Sequence, residues 1–193
     1  MERRTLVLGG CAALVAAALL AGASHTGAAR SSLRFAEGVP PDLRAVAEET
    51  WDRFVAAWPA RAGCVKPVTV EGAWELEDRA TYDPHRRLVT VRIPGTRPNL
   101  EASLVHEFAH HLEFTCRAHR ALRPRFLDAR GLPSHTSWFE GATWEQTPSE
   151  QFAEAATVFV LGRRPAHLRT VVTLEGIRAL RAWARTTQLT PRP

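Results

Sequence analysis

The sequence predicts a single α+β domain over residues 30–193, and three observations carry this prediction. Apolar residues recur with a helical period before residue 59, whereas residues 65–70 and 88–93 have the composition and alternation of β-strands. From about residue 100 onward the pattern is helical again. One helix, a few strands and then a run of helices is the order typical of an α+β domain, and the chain is too short for several domains.

The first half of the domain is predicted to be one helix followed by two strands. The helix begins at the prolines and aspartate of residues 40–42 and ends before Pro59, which cannot continue it. The first strand covers residues 65–70, where Pro67 favours the edge of a sheet because proline has no N–H to donate. The second strand, residues 88–93, alternates polar and apolar side chains and ends at a Pro-Gly pair.

Four helices are predicted in the second half. A long helix is predicted over about residues 100–114, and the Pro-Asn pair before it caps its N-terminus. A short helix near residues 124–129 is closed by Gly131. A third helix covers about residues 148–161 and ends at a glycine. A fourth covers about residues 173–185.

Residues 1–29 have the composition of an export signal. Two arginines at positions 3 and 4 precede an apolar run over residues 6–21, and Ala-Gly-Ala at 21–23 supplies a cleavage motif. The arginine pair loosely resembles a twin-arginine signal. If residues 1–29 are not cleaved off, their apolar run is just long enough to anchor the chain in a membrane. We therefore expect a secreted or extracytoplasmic protein that meets a membrane only through this segment.

The basic charge of the chain does not predict a nucleic-acid partner. The formal net charge is +5, but all of the 25 basic residues except Lys66 are arginine, a skew typical of coding bias across a genome. No run of arginines is longer than two, so the arginines do not form the continuous basic stripe of a nucleic-acid interface.

The expected export determines how the cysteines are interpreted. Cleavage of the signal would remove Cys11 and leave Cys64 and Cys116. Two cysteines in an oxidising compartment most often pair, so the sequence predicts a Cys64–Cys116 disulfide. Two free thiols or metal ligands are the alternatives.

The strongest chemical signal is His-Glu-Phe-Ala-His at residues 106–110, inside the long predicted helix. His106 and His110 are four residues apart, so both imidazoles lie on one face of the helix and can reach one zinc ion. Glu107 lies beside them, where a carboxylate can take a proton from water bound to the metal. Apolar neighbours predict that the helix is buried, and unpartnered buried histidines are costly. The alternative is a pair of satisfied core histidines with a chance glutamate between them.

A catalytic zinc site needs a third protein ligand and an open position for water. A pattern with a further histidine six residues after His110 is excluded, because position 116 is Cys116. Glu150 and Glu154 are exceptions on an otherwise apolar helix, where carboxylates are rarely tolerated unless they are paired or bound to metal. We expect Glu150 to be the third ligand and Glu154 to accept a hydrogen bond from a ligand imidazole. One alternative is that Glu150 and Glu154 exchange these roles. The other is that both are ordinary glutamates on a solvated edge of the helix.

These two helices together resemble the gluzincin metallopeptidases, most closely the compact minigluzincin and lethal-factor-like forms. The shared motifs are His-Glu-Phe-Ala-His and, some forty residues later, Glu-x-Phe-Ala-Glu-Ala. The order of Cys64, the strand at 88–93 and these two helices also resembles exported actinobacterial proteins. The match covers about a sixth of the chain, and the pair of motifs is far more specific than either half.

The resemblance implies a compact zincin-like fold with a small sheet and one zinc ion per chain. It implies the following roles: zinc ligands His106, His110 and Glu150, general base and then acid Glu107, and a supporting carboxylate Glu154. It also implies that an edge strand just before the first metal helix aligns a peptide substrate as an added strand, a place that residues 88–93 occupy.

One position departs from the resemblance. Lethal-factor-like enzymes carry a tyrosine two helical turns before the glutamate ligand, aimed at the oxyanion, where this chain has Thr143. Oxyanion stabilisation often contributes ~3–4 kcal/mol to catalysis, so another donor is needed. The candidates are Tyr82, which is the one tyrosine of the chain, and His135.

The other histidines and the tryptophans are interpreted as structural. His111 points off the metal face. Exposed loop or helix-end positions are predicted for His85, His119, His135 and His167. Trp138 and Trp144, which flank a Glu-Gly pair before the second metal helix, are assigned to the core in preference to a cleft wall.

The sequence therefore predicts an exported zinc-dependent peptidase that acts on peptide or protein substrates. Two alternatives stay open. One is a module that binds zinc and a peptide or partner but is catalytically weak or inactive, which the missing tyrosine favours. The other is a basic protein of the membrane or cell wall whose histidines are incidental.

Overall fold

Four short strands and five α-helices make up the described part of the chain, residues 33–186 of a computed structural model, and they confirm the α+β class. In chain order the elements are β1 (Leu33–Phe35), α1 (Pro41–Ala57), β2 (Val68–Ala73), β3 (Ala80–Asp83), β4 (Leu88–Arg92), α2 (Arg97–Thr115), α3 (His119–Ala129), α4 (Pro148–Leu161) and α5 (Leu174–Arg185). The predicted export signal lies outside the described residues. Within residues 33–186, no helix is both long and apolar enough to cross a membrane.

The strands form one mixed sheet in the order β1-β2-β4-β3. β1, β2 and β4 are parallel, and β3 pairs antiparallel with β4, with Tyr82 opposite Val89. The predictions that residues 65–70 and residues 88–93 form edge strands are therefore wrong, because the corresponding strands β2 and β4 both lie inside the sheet. Pro67 precedes the first residue of β2, so its missing N–H removes no bond from the ladder. The true edges, β1 and β3, have three and four residues, too few for a readable alternation.

The helices agree with the predictions except at two N-termini. α4 ends at Gly162, which adopts the left-handed conformation at φ 67°, and Thr173 caps α5 by accepting a hydrogen bond from the Gly176 amide. α2 begins three residues earlier than predicted. α3 begins at His119 and not near Pro124, because the proline is accommodated inside the helix.

The core surrounds α2, which packs against α1, α4, β3 and β4. Phe108 on the buried side of α2 contacts Trp51 and Phe54 of α1 at ring-centroid distances of 4.8 and 5.7 Å. The predicted disulfide is confirmed, since Cys64 and Cys116 are bonded and tie the C-terminal end of α2 to the segment after α1. α2 is therefore held on several sides, and one face remains open to a cleft.

Candidate metal centre

Three side chains from α2 and α4 converge on one point. The Nε2 atoms of His106 and His110 are 3.2 Å apart, and the nearer Glu150 oxygen, Oε2, is 3.0 Å from the first and 3.3 Å from the second. A group of two imidazoles and one carboxylate at such distances could hold a metal ion. The structure thus brings together the three ligands that the sequence predicts.

Local sequence explains this convergence. The four-residue spacing of the histidines places both rings on the same face of α2, with ring centroids 4.9 Å apart. Glu150 lies in the first turn of α4, just after Pro148. The apolar face of α4, which includes the fully buried Phe152 and Ala153, packs the helix against α2 and brings Glu150 over the histidines.

The donor set fits a tetrahedral zinc site with one open position. Ligand atoms bound to zinc at the usual distances are about 3.3 Å apart, close to the separations found here. Burial opposes ionisation of Glu150, but hydrogen bonds from His106 and His110 lower its pKa to about 2. The carboxylate is therefore ionised at neutral pH, which is the form that binds a cation.

Glu107 is buried beside these ligands and faces the same cavity. Among residues 33–186 no group donates a hydrogen bond to its carboxylate. Burial raises the pKa of Glu107, although the charges of His106 and His110 act in the opposite direction. A carboxyl group with a raised pKa is suited to accept a proton at neutral pH and then release it.

The carboxylate that contacts the imidazole of a candidate ligand, His110, is Glu113 and not Glu154. Glu113 Oε2 lies 3.2 Å from His110 Nδ1 and accepts a hydrogen bond of 2.7 Å from the Ser149 hydroxyl. The Trp138 indole N–H donates to the other Glu113 oxygen. A hydrogen bond at Nδ1 leaves the Nε2 lone pair of His110 directed at the metal position. Burial would raise the pKa of Glu113, but the hydrogen bond from His110 and the nearby positive charges hold it below its ordinary value.

Glu154 has a different partner from the one predicted. Its two oxygens accept hydrogen bonds from the main-chain N–H groups of Arg169 and Thr170, at 2.8 and 2.5 Å. The expectation that it accepts a bond from a ligand imidazole is therefore wrong. The carboxylate instead fixes the loop after α4 at the border of the cavity, where Arg169 lies 4.7 Å above the Trp144 ring.

Neither candidate oxyanion donor is placed to act. His111 Nε2 lies 2.8 Å from the Lys66 carbonyl, which can only accept, so Nε2 carries the proton and Nδ1 is an acceptor. The Tyr82 hydroxyl, 2.9 Å from that Nδ1, therefore donates its one proton to His111 and has none left for an oxyanion. Burial raises the pKa of Tyr82 to about 12 and lowers that of His111 to about 4, so both stay neutral. His135 is exposed and is not among the described residues that line the cavity.

The metal group lies on the wall of an open cavity of about 670 Å³. The strand β3 and the chain before it form one side, α2 forms the floor, and Trp144 and the loop after α4 form the other side. The Trp144 ring stacks on His106 with ring centroids 5.8 Å apart, so it lines the cleft and does not lie in the core. Trp138 is buried, as predicted.

Two other histidines differ from their predicted exposure. His119 is completely buried among aromatic rings, and His167 is half-buried and lines the cavity. Burial lowers the pKa of both. His85 is exposed, as predicted. The burial of His119 could have been predicted from the helical spacing of α3, because His119 shares a face of that helix with the buried Leu122 and Phe126.

Comparisons of this chain with protein-family models, with curated proteins and with solved structures find no match.

Proposed function

We propose that this protein is an exported zinc-dependent peptidase with a zincin-like fold of the gluzincin type. The observation that carries the proposal is the convergence of His106, His110 and Glu150 on one point beside the buried Glu107, on the wall of an open cleft. The export signal predicted in the sequence supports an extracytoplasmic location, and the disulfide is compatible with it.

The chemistry proposed is hydrolysis of a peptide bond. Zinc held by the three ligands would lower the pKa of water and polarise the carbonyl of the substrate. Glu107 takes the proton of the attacking water and then delivers it to the leaving amine. The position of Glu107, buried beside the candidate ligands and facing the same cavity, supports this role.

The strand that aligns the substrate is proposed to be β3 and not residues 88–93. The Arg92 N–H donates to the Arg79 carbonyl, so this pair and every second pair along β3 are hydrogen-bonded to β4. The main-chain groups of Ala80 and Tyr82 consequently point to the open edge, where both residues line the cavity. A peptide can add there as a further strand.

A zinc-binding module without turnover is the second candidate function. One observation favours it, namely that the Tyr82 hydroxyl is committed to His111 and supplies no oxyanion donor. The two candidates share the metal site and the edge strand, and they differ only in catalysis.

Glu107→Gln separates the two functions. We expect wild-type protein loaded with zinc to cleave members of a diverse peptide library, and Glu107→Gln to retain zinc and lose at least about a hundredfold in rate, because the base is removed. Glu101→Gln on the same helix is the matched control and should retain wild-type cleavage. Turnover at the wild-type rate in Glu107→Gln would refute the assignment of the base, and zinc binding without any wild-type cleavage would favour the second function.

A further inference from the structure

Two phenylalanines are exposed at the mouth of the cleft. Phe114 and Phe139 are each 49% exposed, and their rings stack with centroids 5.4 Å apart at an interplanar angle of 21°. Both line the cavity that contains the metal group. Single exposed apolar side chains are ordinary, but a contiguous aromatic surface beside a candidate active site indicates a binding function. We call this pair the aromatic shelf.

The position of the shelf on α2 places it next to the metal group. Phe114 follows His110 by four residues and His106 by eight, so the three side chains share one face of the helix. The shelf therefore begins one helical turn beyond the second zinc ligand. A side chain bound on it would lie near the bond that the metal group acts on.

The shelf is held in place by buried neighbours. Phe139 follows the buried Trp138, whose indole N–H is bonded to Glu113. The Arg123 guanidinium lies 5.1 Å from the Trp138 ring and 4.9 Å from the Phe139 ring, and it pairs with Glu113 at 3.7 Å. Because the surface is ordered before a ligand arrives, binding to it costs less conformational entropy.

The edge of β3 leads a peptide onto the shelf. The Tyr82 ring contacts Phe114, with centroids 6.1 Å apart, so the Tyr82 side chain faces α2. Residues paired directly across two strands project their side chains on the same side of the sheet. The peptide residue opposite Tyr82 would therefore direct its side chain toward α2 and the shelf.

We propose that Phe114 and Phe139 form a specificity subsite that binds an aromatic or large aliphatic side chain of the substrate, within two residues of the cleaved bond. This inference rests on the proposed peptidase function, since it assigns a substrate class to the same cleft. It extends that function, because the zinc ligands and Glu107 do not select a side chain.

Binding can be measured without turnover by using two peptide hydroxamates that coordinate zinc and differ only in one side chain, benzyl or methyl. We expect zinc-loaded wild-type protein to bind the benzyl compound about tenfold more tightly or better, because burying the larger side chain removes more apolar surface from water. In Phe114→Ala, Phe139→Ala and the double variant, this preference should fall to about threefold or less. Affinity for the methyl compound should be unchanged, which reports that the variants are folded.

Trp74→Ala is the matched control, because Trp74 is 72% exposed and is not among the described residues that line the cavity. It should retain the full preference. A double variant that keeps the wild-type preference, or a zinc-loaded wild type that binds both compounds equally, would overturn the subsite.

Cleavage of a peptide library, with the cut bonds mapped by mass spectrometry, distinguishes the subsite from the peptidase itself. We expect an aromatic or large aliphatic residue at one fixed position near the cut, and loss of that preference in the double variant. Cleavage without preference would overturn the subsite alone. Hydroxamate preference without cleavage would overturn the peptidase, and Phe114 and Phe139 would then bind a peptide side chain at a site without a cleaved bond. Binding of neither hydroxamate would overturn the subsite.

Discussion

Glu113 of α2 and Glu154 of α4 are buried carboxylates, and each needs a partner because an unpartnered buried charge is costly. This requirement does not determine which group the partner is. Glu113 is three residues after His110 on the same helix and reaches its Nδ1 atom, whereas Glu154 bonds to main-chain amides. The pairing of the two histidines could be predicted, because a four-residue spacing places them on a shared face. The role of Glu113 could not be predicted, because it depends on contacts with Ser149 and Trp138.

Glu113→Gln should weaken zinc binding and leave the fold intact. The substitution removes the negative charge behind His110 and exchanges one acceptor of the network for a donor. Loss of such a supporting carboxylate typically lowers metal affinity about 10–100-fold. Competition with a zinc chelator measures it.

The control for this prediction is Glu101→Gln, the same change on the same helix, where the carboxylate pairs with arginines at the surface. It should retain wild-type zinc affinity. Equal zinc affinity in Glu113→Gln and wild type would show that Glu113 has a purely structural role.

At the level of helices and strands, the long helices and the two inner strands, β2 and β4, could be predicted, whereas the edge strands β1 and β3 could not. α2 and α4 contain several turns of apolar periodicity. α2 has a proline in its first turn, and α4 begins at a proline and ends before a glycine. β3 has four residues, which contain too few side chains for a pattern, and its strand geometry comes from pairing with β4. Residues 88–93, predicted to be an edge strand, therefore lie inside the sheet, and β3 lies at the edge.

The disulfide should stabilise α2, which carries two of the three candidate metal ligands. It closes a sequence separation of 52 between Cys64 and Cys116, immediately after α2. In the chain-entropy model, such a crosslink stabilises the fold by about 4 kcal/mol. We expect Cys64→Ser with Cys116→Ser to lower the free energy of unfolding by roughly this amount in urea titrations. Wild-type protein under reducing conditions should match the double variant, and an unchanged unfolding free energy would contradict the account.

At the scale of the whole molecule, a buried histidine makes stability depend on pH. His119 is fully buried against Trp138, Phe152 and Trp183, and its Nε2 atom has no hydrogen-bond partner in the described part of the chain. Burial lowers its pKa to about 4 from an ordinary value of 6.5. The unfolded chain therefore binds more protons between these values, and this contribution to stability is present above pH 6.5 and is lost as the pH falls toward 4.

His119→Phe should flatten this dependence. Between pH 6.5 and pH 4.5, the unfolding free energy of the wild type should fall more steeply than that of the variant, by up to about 1.4 kcal/mol per pH unit. The measurement is urea denaturation at a series of pH values. The exposed His85→Gln serves as the control with a wild-type slope, and equal slopes in His119→Phe and wild type would show that His119 titrates normally.

The candidate site exists only in the folded molecule, because its ligands come from helices some forty residues apart and its edge strand precedes both. Whether these parts hold one zinc ion is measured by the zinc content of the purified protein by mass spectrometry, with Glu150→Ala beside it. We expect about one zinc per chain in the wild type and a large loss in the variant. A wild type that binds no zinc even after reconstitution, or a variant that keeps it fully, would show that His106, His110 and Glu150 do not form a zinc site.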